Sequence, residues 1–317
     1  MDLLPKENSF LKYKIVGPEI FWSQISLPIY LNFKNKDDVF FSPAHYSPRL
    51  CPAPLVVTIH DLSYYYYPTD FLKKDLYKLI SWTKNSVKKA KKVIAVSEST
   101  KKDIVRFYEI PKNKIKVIYN GFEKKQTNNK STIKRLIGSP YILFVGTLQP
   151  RKNIKTLIRA FSHFKKNNPD FKLAIAGKKG WLYEGILNET KSLGLSNEVL
   201  FLDFVDENKL INLYKNAFCL VLPSFYEGFG IPILEAMSYN CPVICSNTSS
   251  LPEIAGDAAL FFNPKNIDEL VKQLNVINRS EDLRKNLIEK GGERIKLFSW
   301  EKCAKETLHT LVETGNK

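Results

Sequence analysis

Along most of this chain, segments with a strand-like pattern of apolar residues alternate with segments with a helix-like pattern. Short runs rich in Val, Ile and Leu, typical of buried strands, are followed by longer stretches whose apolar residues recur at helical spacing. This order of elements indicates repeated β/α units and parallel sheets. In the first part of the chain, the predicted strands are Val39–Phe41, Leu55–Ile59, Val93–Val96 and Ile115–Ile118. The predicted helices between them are Asp70–Ala90 and Ser99–Tyr108, and Ser97 suits the N-cap of the second helix.

A second series of strands and helices begins at Tyr141. Its predicted strands are Tyr141–Val145, Lys172–Ala176, Val199–Leu202, Phe218–Leu222, Val243–Cys245 and Ala258–Phe261. Its predicted helices are Ile154–Lys166, Tyr183–Leu193, Glu207–Asn216, Pro232–Tyr239, Ile267–Val276, Glu281–Phe298 and Trp300–Glu313. The two series predict two doubly wound, Rossmann-like α/β domains that face a cleft, where a ligand would lie at the carboxyl ends of the strands.

A polar segment without periodicity separates the two series. Residues Glu123–Ser131 are rich in Lys, Asn, Gln and Thr, which makes this segment the best candidate for a linker. We therefore predict a first domain over residues 1–122, a linker over 123–138, a second domain over 139–298 and a closing segment over 299–317.

The formal net charge of +16 indicates an anionic partner, such as nucleic acid, anionic lipid or a phosphorylated substrate. The lysines occur in scattered short clusters, so a solvated basic surface accounts for most of them. Peripheral attachment to an anionic membrane surface is the second interpretation. Nucleic acid comes third, and because no known nucleic-acid-binding motif accompanies the lysines we expect no nucleic-acid partner.

The remaining composition is that of an ordinary globular protein of 317 residues, a length that fits about two domains. No apolar run approaches the ~18 residues of a membrane-spanning helix. The opening residues, MDLLPKENSF, lack the apolar core of a signal peptide, so we expect a cytoplasmic protein. The five cysteines are scattered and no Cys or His cluster has the spacing of a metal site, so we expect reduced thiols and no metal.

The most informative stretch is Ser224–Glu235, SFYEGFGIPILE, which follows a predicted buried strand and enters a predicted helix. Glycines at Gly228 and Gly230 allow the backbone to approach a ligand closely, and the free amides at the helix start favour an anion such as a diphosphate. The flanking carboxylates, Glu227 and Glu235, can accept hydrogen bonds from sugar hydroxyls. The alternative is an ordinary turn followed by a solvated glutamate on a helix.

A second candidate loop, Gly146–Asn153, follows the first strand of the second domain and leads into a helix. Arg151 and Lys152 in this loop can neutralise a diphosphate. Two cations are unfavourable at the start of a helix, which favours a functional role over a solvated pair. Lys178, in the Gly-Lys-Lys-Gly segment after another strand, either lines the nucleotide pocket or belongs to an exposed turn.

Polar residues also follow two strands of the first domain. His60 and Asp61 end the strand Leu55–Ile59, and His45 follows the strand Val39–Phe41. Such positions are site positions in an open sheet. The alternatives are a satisfied, partly buried histidine and an aspartate that caps the next turn.

Several known motifs do not occur in the sequence. There is no G-x-S-x-G elbow, P-loop or G-x-G-x-x-G, which argues against a hydrolase triad, a P-loop ATPase and a standard dinucleotide enzyme. There is also no D-x-D segment to suggest a metal-bound diphosphate, so the basic pair Arg151–Lys152 would replace the charge of the metal.

A family resemblance covers nearly the whole chain from about Asp38. It rests on the stretches TIHDLSYYYYP, VSEST, VIYNGF, FVGTLQPRKNI and LVLPSFYEGFGIPILEAMSYNCPVICSNTSSLPEIAGDAALFFNP. With these residues the chain resembles the retaining, nucleotide-sugar-dependent glycosyltransferases of family four, also called group 1, and among them the mannosyltransferase-type branch. The resemblance implies the two-domain GT-B fold, with a last helix after Ser299 that crosses back onto the first domain.

The resemblance also implies a role for each candidate residue. Glu227 and Glu235 would be the two carboxylates of the E-x7-E motif, the first near the donor sugar and the second on the ribose hydroxyls. Arg151 and Lys152 would bind the diphosphate and stabilise the leaving nucleotide, and His60 would reach across the cleft to the donor sugar. The remaining implied donor-binding residues are Gly146, Thr147, Lys178, Gly228, Phe229 and Gly230.

The implied function is transfer of a hexose, with mannose favoured, from a nucleoside-diphosphate sugar to a glycan or lipid-linked acceptor in surface polysaccharide or lipopolysaccharide synthesis. Transfer would retain the anomeric configuration by front-face attack, with the leaving phosphate helping to deprotonate the acceptor. No metal or other cofactor would be needed. The protein would act in the cytoplasm, peripherally attached to the inner face of the membrane.

Two departures from the family pattern leave an alternative open. Many members carry Arg where this chain has Thr147, so Arg151 must supply that charge. Members also begin with a strand and a glycine-rich loop that this chain lacks before Asp38, so we expect a first domain truncated at its N-terminus. The alternative is a truncated, non-catalytic homologue that only binds nucleotide or nucleotide-sugar; a nucleotide-sugar epimerase is a weaker third option.

Overall fold

The computed structural model of the protein describes residues 5–18, 22–33, 37–125 and 135–316. Its first sheet consists of four parallel strands in the order β1-β2-β3-β4. These strands are β1 (Phe40–Ser42), β2 (Leu55–Ile59), β3 (Lys92–Ala95) and β4 (Ile115–Val117). Every residue of β2 is buried because both faces of a parallel sheet are covered.

The described residues of this part of the chain form four α-helices: α1 (Ser26–Phe33), α2 (Ser63–Tyr66), α3 (Lys73–Lys89) and α4 (Glu98–Tyr108). The side-chain oxygen of Ser97 accepts a hydrogen bond from the amide of Thr100 at 3.0 Å. This bond satisfies one of the free amides at the start of α4, and it confirms the predicted N-cap.

The second sheet consists of six parallel strands in the order β10-β9-β8-β5-β6-β7. These strands are β5 (Tyr141–Val145), β6 (Lys172–Ala176), β7 (Val199–Phe201), β8 (Cys219–Leu222), β9 (Val243–Ser246) and β10 (Ala259–Phe262). The helices that accompany it are α5 (Ile154–Lys165), α6 (Glu184–Ser192), α7 (Glu207–Asn216), α8 (Ile231–Ser238), α9 (Leu251–Ala255), α10 (Ile267–Arg279) and α11 (Glu281–Arg294).

A last helix, α12 (Trp300–Gly315), follows the second domain but packs on the first sheet. Cys303 and Leu311 of α12 contact an apolar cluster of Val56, Ile94 and Ile118 from β2, β3 and the end of β4. Trp300 lies so close to Gly121 that any side chain at Gly121 would overlap the backbone of Trp300. The start of α12 is therefore held tightly against the end of the first domain.

The two sheets have separate apolar cores, and a third cluster joins them. The joining cluster contains Val96 of the first domain and Phe229, Leu234 and Ile254 of the second, with Phe298 against them. These side chains are buried between the domains. At about 25 cal/mol per Å² of apolar surface removed from water, such contacts favour the packed arrangement of the two domains.

Most of the predicted strands and helices are confirmed, with ends that differ by four residues at most. Three short helices had no prediction: α1, α2 within the tyrosine run, and α9. Each has eight residues or fewer, which is too short for a helical period to appear in the sequence.

Part of the predicted linker over 123–138 lies outside the described residues, since residues 126–134 are not among them. On either side, the carbonyl oxygen of Lys125 accepts a hydrogen bond from the Tyr239 hydroxyl at 2.9 Å, and Ile137 belongs to the second core. The boundaries and the truncation of the first domain remain predictions. Among the described residues, β1 is the first strand and lies at the edge of its sheet.

Candidate active site

The second sheet reverses its strand order between β5 and β8. Strands β6 and β7 lie on one side of this point, and β9 and β10 lie on the other. The loops that follow β5 and β8 therefore diverge at the carboxyl ends of the strands, where open α/β sheets bind ligands. The loop after β5 carries Arg151 and Lys152, and the loop after β8 carries Glu227.

These three side chains form one ionic cluster. The Lys152 Nζ lies 2.6 Å from Oε1 of Glu227, and an Arg151 guanidinium nitrogen lies 3.6 Å from Oε2. The Ser224 hydroxyl donates a third contact to Oε1 of Glu227 at 2.6 Å. Glu227 is only 9% exposed, so the charges face each other in a site with little solvent.

The charge of Glu227 is maintained by its cationic neighbours. Burial opposes ionisation of this carboxyl, but the attraction of Lys152 and Arg151, together with the hydrogen bonds from Lys152 and Ser224, outweighs it. The pKa of Glu227 is therefore lowered from its ordinary value. The site carries an ionised carboxylate and two cations at neutral pH.

The backbone around Arg151 and Lys152 explains why both can reach Glu227. Pro150–Lys152 form a 3-10 turn, and Asn153 adopts a left-handed conformation with φ of 55° before α5 begins. The Asn153 side-chain amide donates to the carbonyl oxygens of Pro223 at 3.0 Å and Pro264 at 2.8 Å. Asn153 therefore fixes the loop after β5 to the loop after β8.

Glycines form the backbone between Glu227 and α8. Gly230 has φ of 111°, in the left-handed region that favours glycine. Gly228 lies against the backbone of His60, and any side chain at Gly228 would overlap the His60 carbonyl oxygen. The amides of Gly228, Phe229 and Gly230 have no acceptor among the described residues. Free amides at the start of a helix favour an anion.

A cavity of about 590 Å³ lies beside this loop, and both Glu235 and His60 line it. The carboxylate of Glu235 accepts a hydrogen bond from the Tyr214 hydroxyl at 2.8 Å. Burial raises the pKa of Glu235 from its ordinary value, against the opposing effect of Tyr214. The volume fits a ligand of drug-like size, for which pockets of about 300–1,000 Å³ are usual.

The His60 side chain is exposed in the cleft, whereas the Phe229 side chain is buried. The His60 Nε2 donates to the carbonyl oxygen of Pro43 at 2.8 Å, and the ring is exposed in the cleft. The Phe229 ring is buried in the cluster between the domains, 5.8 Å from the Phe298 ring. Only the backbone of Phe229 is therefore available to a ligand in this conformation.

The other predicted donor-site residues lie around the loop after β5. Gly146 has φ of 150°, and a side chain there would reach within about 4.0 Å of Lys152. Thr147 is exposed beside it. The Lys178 ammonium lies 4.8 Å from the centre of the Phe204 ring, at the rim of the 590 Å³ cavity that Phe204 helps to line. The structure thus brings Gly146 to the ionic cluster, whereas Lys178 lies at the cavity rim.

Sequence reasoning missed the residues that hold the two domains together beside the site. The carboxylate of Glu253, in α9, accepts hydrogen bonds from the amides of Glu98 at 2.7 Å and Ser99 at 3.2 Å, at the start of α4. The Ser97 hydroxyl donates to the Gly228 carbonyl oxygen at 2.7 Å. Because these partners lie more than 130 residues apart, no local pattern could reveal the contacts.

The described residues contain neither a metal-binding cluster nor a membrane-spanning helix. No group of three or more His, Cys, Asp or Glu side chains in that part of the chain is arranged to hold a metal ion. Nor does any helix among the described residues have the length and hydrophobicity needed to cross a membrane.

Comparison with known proteins identifies the class. Residues 125–294 match the family model described as glycosyl transferases group 1, and residues 36–126 match that of glycosyltransferase family 4. Two parallel Rossmann-like sheets with the site between them are the GT-B fold. The chain belongs to the group 1 glycosyltransferases, and the resemblance inferred from its motifs is confirmed.

Two relatives are bacterial O-antigen enzymes. The chain is 30% identical to O-antigen chain mannosyltransferase B of Escherichia coli, over 86% of this chain and 74% of that protein. It is 34% identical to O-antigen chain mannosyltransferase RfbU of Salmonella typhimurium, over 70% of this chain and 63% of that protein. The alignments thus span about two thirds to three quarters of the length of these relatives.

Solved structures share the fold at low sequence identity. A sucrose-phosphate synthase from Thermosynechococcus elongatus superimposes with a TM-score of 0.74 at 20% identity, over 91% of this chain and 76% of that one. Anabaena HepE in complex with UDP and glucose gives a TM-score of 0.74 at 19% identity, over 94% of this chain and 84% of that one. At these identities the likeness shows the GT-B fold alone.

Proposed function

We propose that the protein transfers a hexose, with mannose favoured, from a nucleoside-diphosphate sugar to a saccharide acceptor in surface polysaccharide synthesis. The observation that carries the proposal is the cluster of Glu227, Lys152 and Arg151 at the point where the strand order reverses. The names of the two O-antigen mannosyltransferases support mannose and a polysaccharide product. The complex of HepE with UDP and glucose supports a nucleotide-sugar donor.

The donor would lie between the two loops. Arg151 and Lys152 bind the diphosphate, and the amides of residues 228–230 add hydrogen bonds at the start of α8. Glu235 accepts hydrogen bonds from the ribose hydroxyls in the 590 Å³ cavity. Gly146 and Thr147 lie beside the diphosphate, and Lys178 lies at the outer rim.

The reacting end of the donor would lie at Glu227 and His60. The Glu227 carboxylate accepts hydrogen bonds from hydroxyls of the donor sugar, and His60 approaches that sugar from the first domain. In the chemical step, the bond between the anomeric carbon and the phosphate oxygen breaks, and an acceptor oxygen bonds to the same face of that carbon. The acceptor proton passes to the departing phosphate, whose negative charge Arg151 and Lys152 stabilise. The product keeps the anomeric configuration of the donor.

We propose that this reaction needs no divalent metal. Two cations beside the diphosphate position can offset the charge that a metal would neutralise. Transfer rates measured with a chelating agent should equal those measured with added Mg²⁺ or Mn²⁺, and a strict metal requirement would contradict this assignment.

We also propose that the protein works at the inner, cytoplasmic face of a membrane, where lipid-linked acceptors are found. The charge of +16 supports attraction to an anionic surface. Sedimentation with phosphatidylglycerol vesicles should retain the protein at low salt and release it at high salt. Equal recovery with purely zwitterionic vesicles would argue against an electrostatic attachment.

The experiment that tests the proposed activity is calorimetric titration of the purified chain with UDP, GDP, UDP-glucose and GDP-mannose, followed by an assay of donor turnover. We expect GDP and GDP-mannose to bind best and the product to have the anomeric configuration of the donor, which NMR can determine. Substitution of Lys152 by Ala should weaken nucleotide binding by about 1.5–3 kcal/mol, the contribution of a charge-assisted hydrogen bond. Binding without any turnover would instead support the non-catalytic alternative.

A further inference from the structure

A second cavity, of about 200 Å³, opens between the two domains beside Arg151. The first domain contributes His45 and Asp61, and the second contributes Gln149, Arg151 and Trp181. Neither Glu235 nor His60 lines it, so it is distinct from the 590 Å³ cavity. Its volume is below the usual range of about 300–1,000 Å³ for drug-sized ligands and fits a single small ring.

One buried polar atom of the first domain lacks a partner in this cavity. Nδ1 of His45 is buried and has no hydrogen-bond partner among the described residues. Asp61 accepts from the amide of Ser63 at 2.9 Å and from its hydroxyl at 2.8 Å, but both bonds go to Oδ1. A buried polar atom without a partner is costly, so Nδ1 of His45 points to a ligand that hydrogen-bonds to it. Asp61 is only half-buried, and its Oδ2 is open to the same ligand.

The protonation states of these groups suit a neutral, hydroxyl-bearing ligand. Burial opposes the charge of Asp61, but nearby His45 and Arg151 and the bonds from Ser63 lower the pKa of the carboxyl. Burial lowers the pKa of His45, which favours the neutral ring at physiological pH. The cavity thus offers a carboxylate and a neutral imidazole, which together can accept from and donate to hydroxyls.

Trp181 adds an aromatic surface at the mouth of the cavity. Its side chain is 51% exposed although it is large and apolar. The face of an indole ring carries negative potential, which suits the weakly positive C–H face of a sugar ring. An exposed tryptophan beside a polar cavity is therefore a surface for a saccharide.

The backbone fixes the position of Trp181. The amide of Leu148 donates to the Lys178 carbonyl oxygen at 2.9 Å, and the amide of Gly180 donates to the Leu148 carbonyl oxygen at 3.1 Å. A side chain at Gly180 would press on Gln149 and Leu148, so only glycine fits there. Trp181 is thus held against the loop that also carries Arg151.

We propose that this cavity binds the terminal sugar of the acceptor, with Trp181 packed on the ring and with Oδ2 of Asp61 and Nδ1 of His45 hydrogen-bonded to its hydroxyls. The assignment rests on the proposed transfer reaction. It would bring an acceptor hydroxyl next to Arg151, and therefore next to the diphosphate that Arg151 is proposed to bind. Asp61, His45 and Trp181 would then determine which sugar is extended.

The test uses the whole chain labelled with 5-fluorotryptophan, whose four tryptophans give four fluorine NMR signals. The Trp181 signal is assigned by its loss in the Trp181→Phe variant. The protein, with and without GDP or UDP, is titrated with the methyl glycosides of mannose, glucose, galactose and N-acetylglucosamine. At least one glycoside should shift the Trp181 signal in a saturable way.

Substitutions then separate binding from folding. Asp61→Asn keeps an oxygen for Ser63 but loses the charge, and it should weaken the glycoside by about tenfold, as expected for one hydrogen bond to a charged group. Trp181→Ala, in an exposed loop, should abolish saturable binding as followed by the glycoside's own NMR signals, and Trp181→Phe should restore part of it. Tyr77→Ala removes an exposed aromatic ring outside the cavity and serves as the matched control.

Calorimetric titration of the same samples with GDP and UDP measures the nucleotide affinity of the donor site. Unchanged nucleotide affinity with weakened glycoside binding supports the subsite. The subsite is refuted if no glycoside shifts the Trp181 signal, or if Trp181→Ala and Asp61→Asn bind glycosides as the wild-type protein does. If the wild-type protein binds no nucleotide, the proposed function is refuted instead. The glycoside titration would still show whether the cavity binds a sugar.

Discussion

The hydroxyl of Tyr226 lies 2.6 Å from Oδ2 of Asp103, and this hydrogen bond connects the loop that carries Glu227 to α4 of the first domain. The other carboxylate oxygen of Asp103 accepts from the Tyr66 hydroxyl, also at 2.6 Å. Asp103 is 6% exposed, so one buried carboxylate holds a tyrosine from each domain. Burial and the proximity of Asp103 raise the pKa of Tyr66 to about 12, which keeps its hydroxyl protonated as a donor.

Removal of the Tyr226 hydroxyl should loosen the two domains. Tyr226→Phe should lower the free energy of unfolding by about 1.5–3 kcal/mol, the contribution of a hydrogen bond to a charged group. Urea unfolding followed by tryptophan fluorescence measures this loss. Tyr66→Phe removes the other hydroxyl on the same carboxylate but leaves the domains connected. Tyr226→Phe should therefore reduce the hydrogen-exchange protection of Ser97 and its neighbours, whereas Tyr66→Phe should preserve it. Equal exchange in both variants would contradict the role of the Tyr226 hydroxyl in joining the domains.

Gly228 allows the two domains to approach. In Gly228→Ala, the new methyl group would overlap the His60 carbonyl oxygen and press on the Asp61 side chain, so the first domain must move away. We expect transferase activity to fall by at least about a hundredfold, as when a reacting group is misplaced by an ångström, while nucleotide binding by the second domain persists. Small-angle scattering should show a larger radius of gyration.

Gly292→Ala is the matched control, because an added Cβ there meets no atom within 4 Å. Gly292 lies inside α11, where alanine favours the helix by up to about 1 kcal/mol. Activity and radius should stay at wild-type values in this variant. A compact and active Gly228→Ala protein would mean that the close approach of the domains is not required.

The buried pairing of Glu227 makes stability depend on pH. Its folded pKa lies below the unfolded value of about 4.3, so its contribution is fully present above that pH and is lost as pH falls through the folded pKa. Glu227→Gln should cost about 3 kcal/mol of unfolding free energy at pH 7, because it leaves Lys152 and Arg151 without their counter-ion. Urea unfolding between pH 7 and pH 3 should show this difference shrinking at the acid end.

Glu301→Gln provides the comparison for an exposed pair. The Glu301 carboxylate lies 2.6 Å from Lys305 on the solvent face of α12, and such pairs contribute little. Its urea midpoint should match that of the wild-type protein at pH 7. A Glu227→Gln protein that is as stable as Glu301→Gln would show that the cluster is not a stabilising contact.

Lys152 and Glu227 should be energetically coupled. Each single substitution, Lys152→Met or Glu227→Gln, leaves a charge with fewer partners, whereas the double substitution removes both charges. The losses of unfolding free energy should therefore be non-additive by about 1–3 kcal/mol. A double-mutant cycle measured by urea unfolding at pH 7 gives this coupling directly, and additive losses would contradict the pairing seen at 2.6 Å.

We predict that Glu235 contributes to nucleotide binding and lowers the stability of the folded protein. Burial raises its pKa, so the folded protein loses stability as pH rises from the unfolded pKa through the folded one. Glu235→Gln removes this charge and should raise the melting temperature at pH 7. The same change should weaken calorimetric GDP or UDP binding by about 1.5–3 kcal/mol if ribose hydroxyls donate to the carboxylate. A variant that binds nucleotide as tightly as the wild-type protein would remove Glu235 from the donor site.

The sequence predicted most of the fold because parallel strands carry a strong local signal. Leu55–Ile59 and Tyr141–Val145 are continuous apolar runs, and the structure has strands over the same residues. Helix α2 could not be recognised, since it has only four residues, Ser63–Tyr66, and overlaps the tyrosine run. It is held by ring packing, such as that of Tyr65 on Phe107 at 4.3 Å. A helix of one turn is stabilised by tertiary contacts rather than by its own sequence.

The candidate site was predictable as a set of residues but not as an arrangement. Arg151 and Lys152 stood out because cations are unfavourable at the start of a helix. Glu227 stood out because it flanks a glycine-rich loop at the end of a strand. Their contact depends on β5 and β8 being neighbours, which is decided by the strand order. Asp103, Glu253 and Trp181 carried no signal, because their partners lie in distant segments or across the cleft.

The sequence by itself therefore determined the two β/α series, the strand ends that carry the candidate site, the basic charge and the family. Each of these depends on residues close together in the chain, where periodicity, turn chemistry and motif spacing act. The tertiary structure alone decided the pairing of Glu227 with Lys152, the contacts of Tyr226 and Glu253 with α4, and the cavity beside Arg151. Those features depend on which strands are adjacent and on how closely the two domains approach, each of which has its own apolar core. Both are set by side-chain packing over the whole molecule.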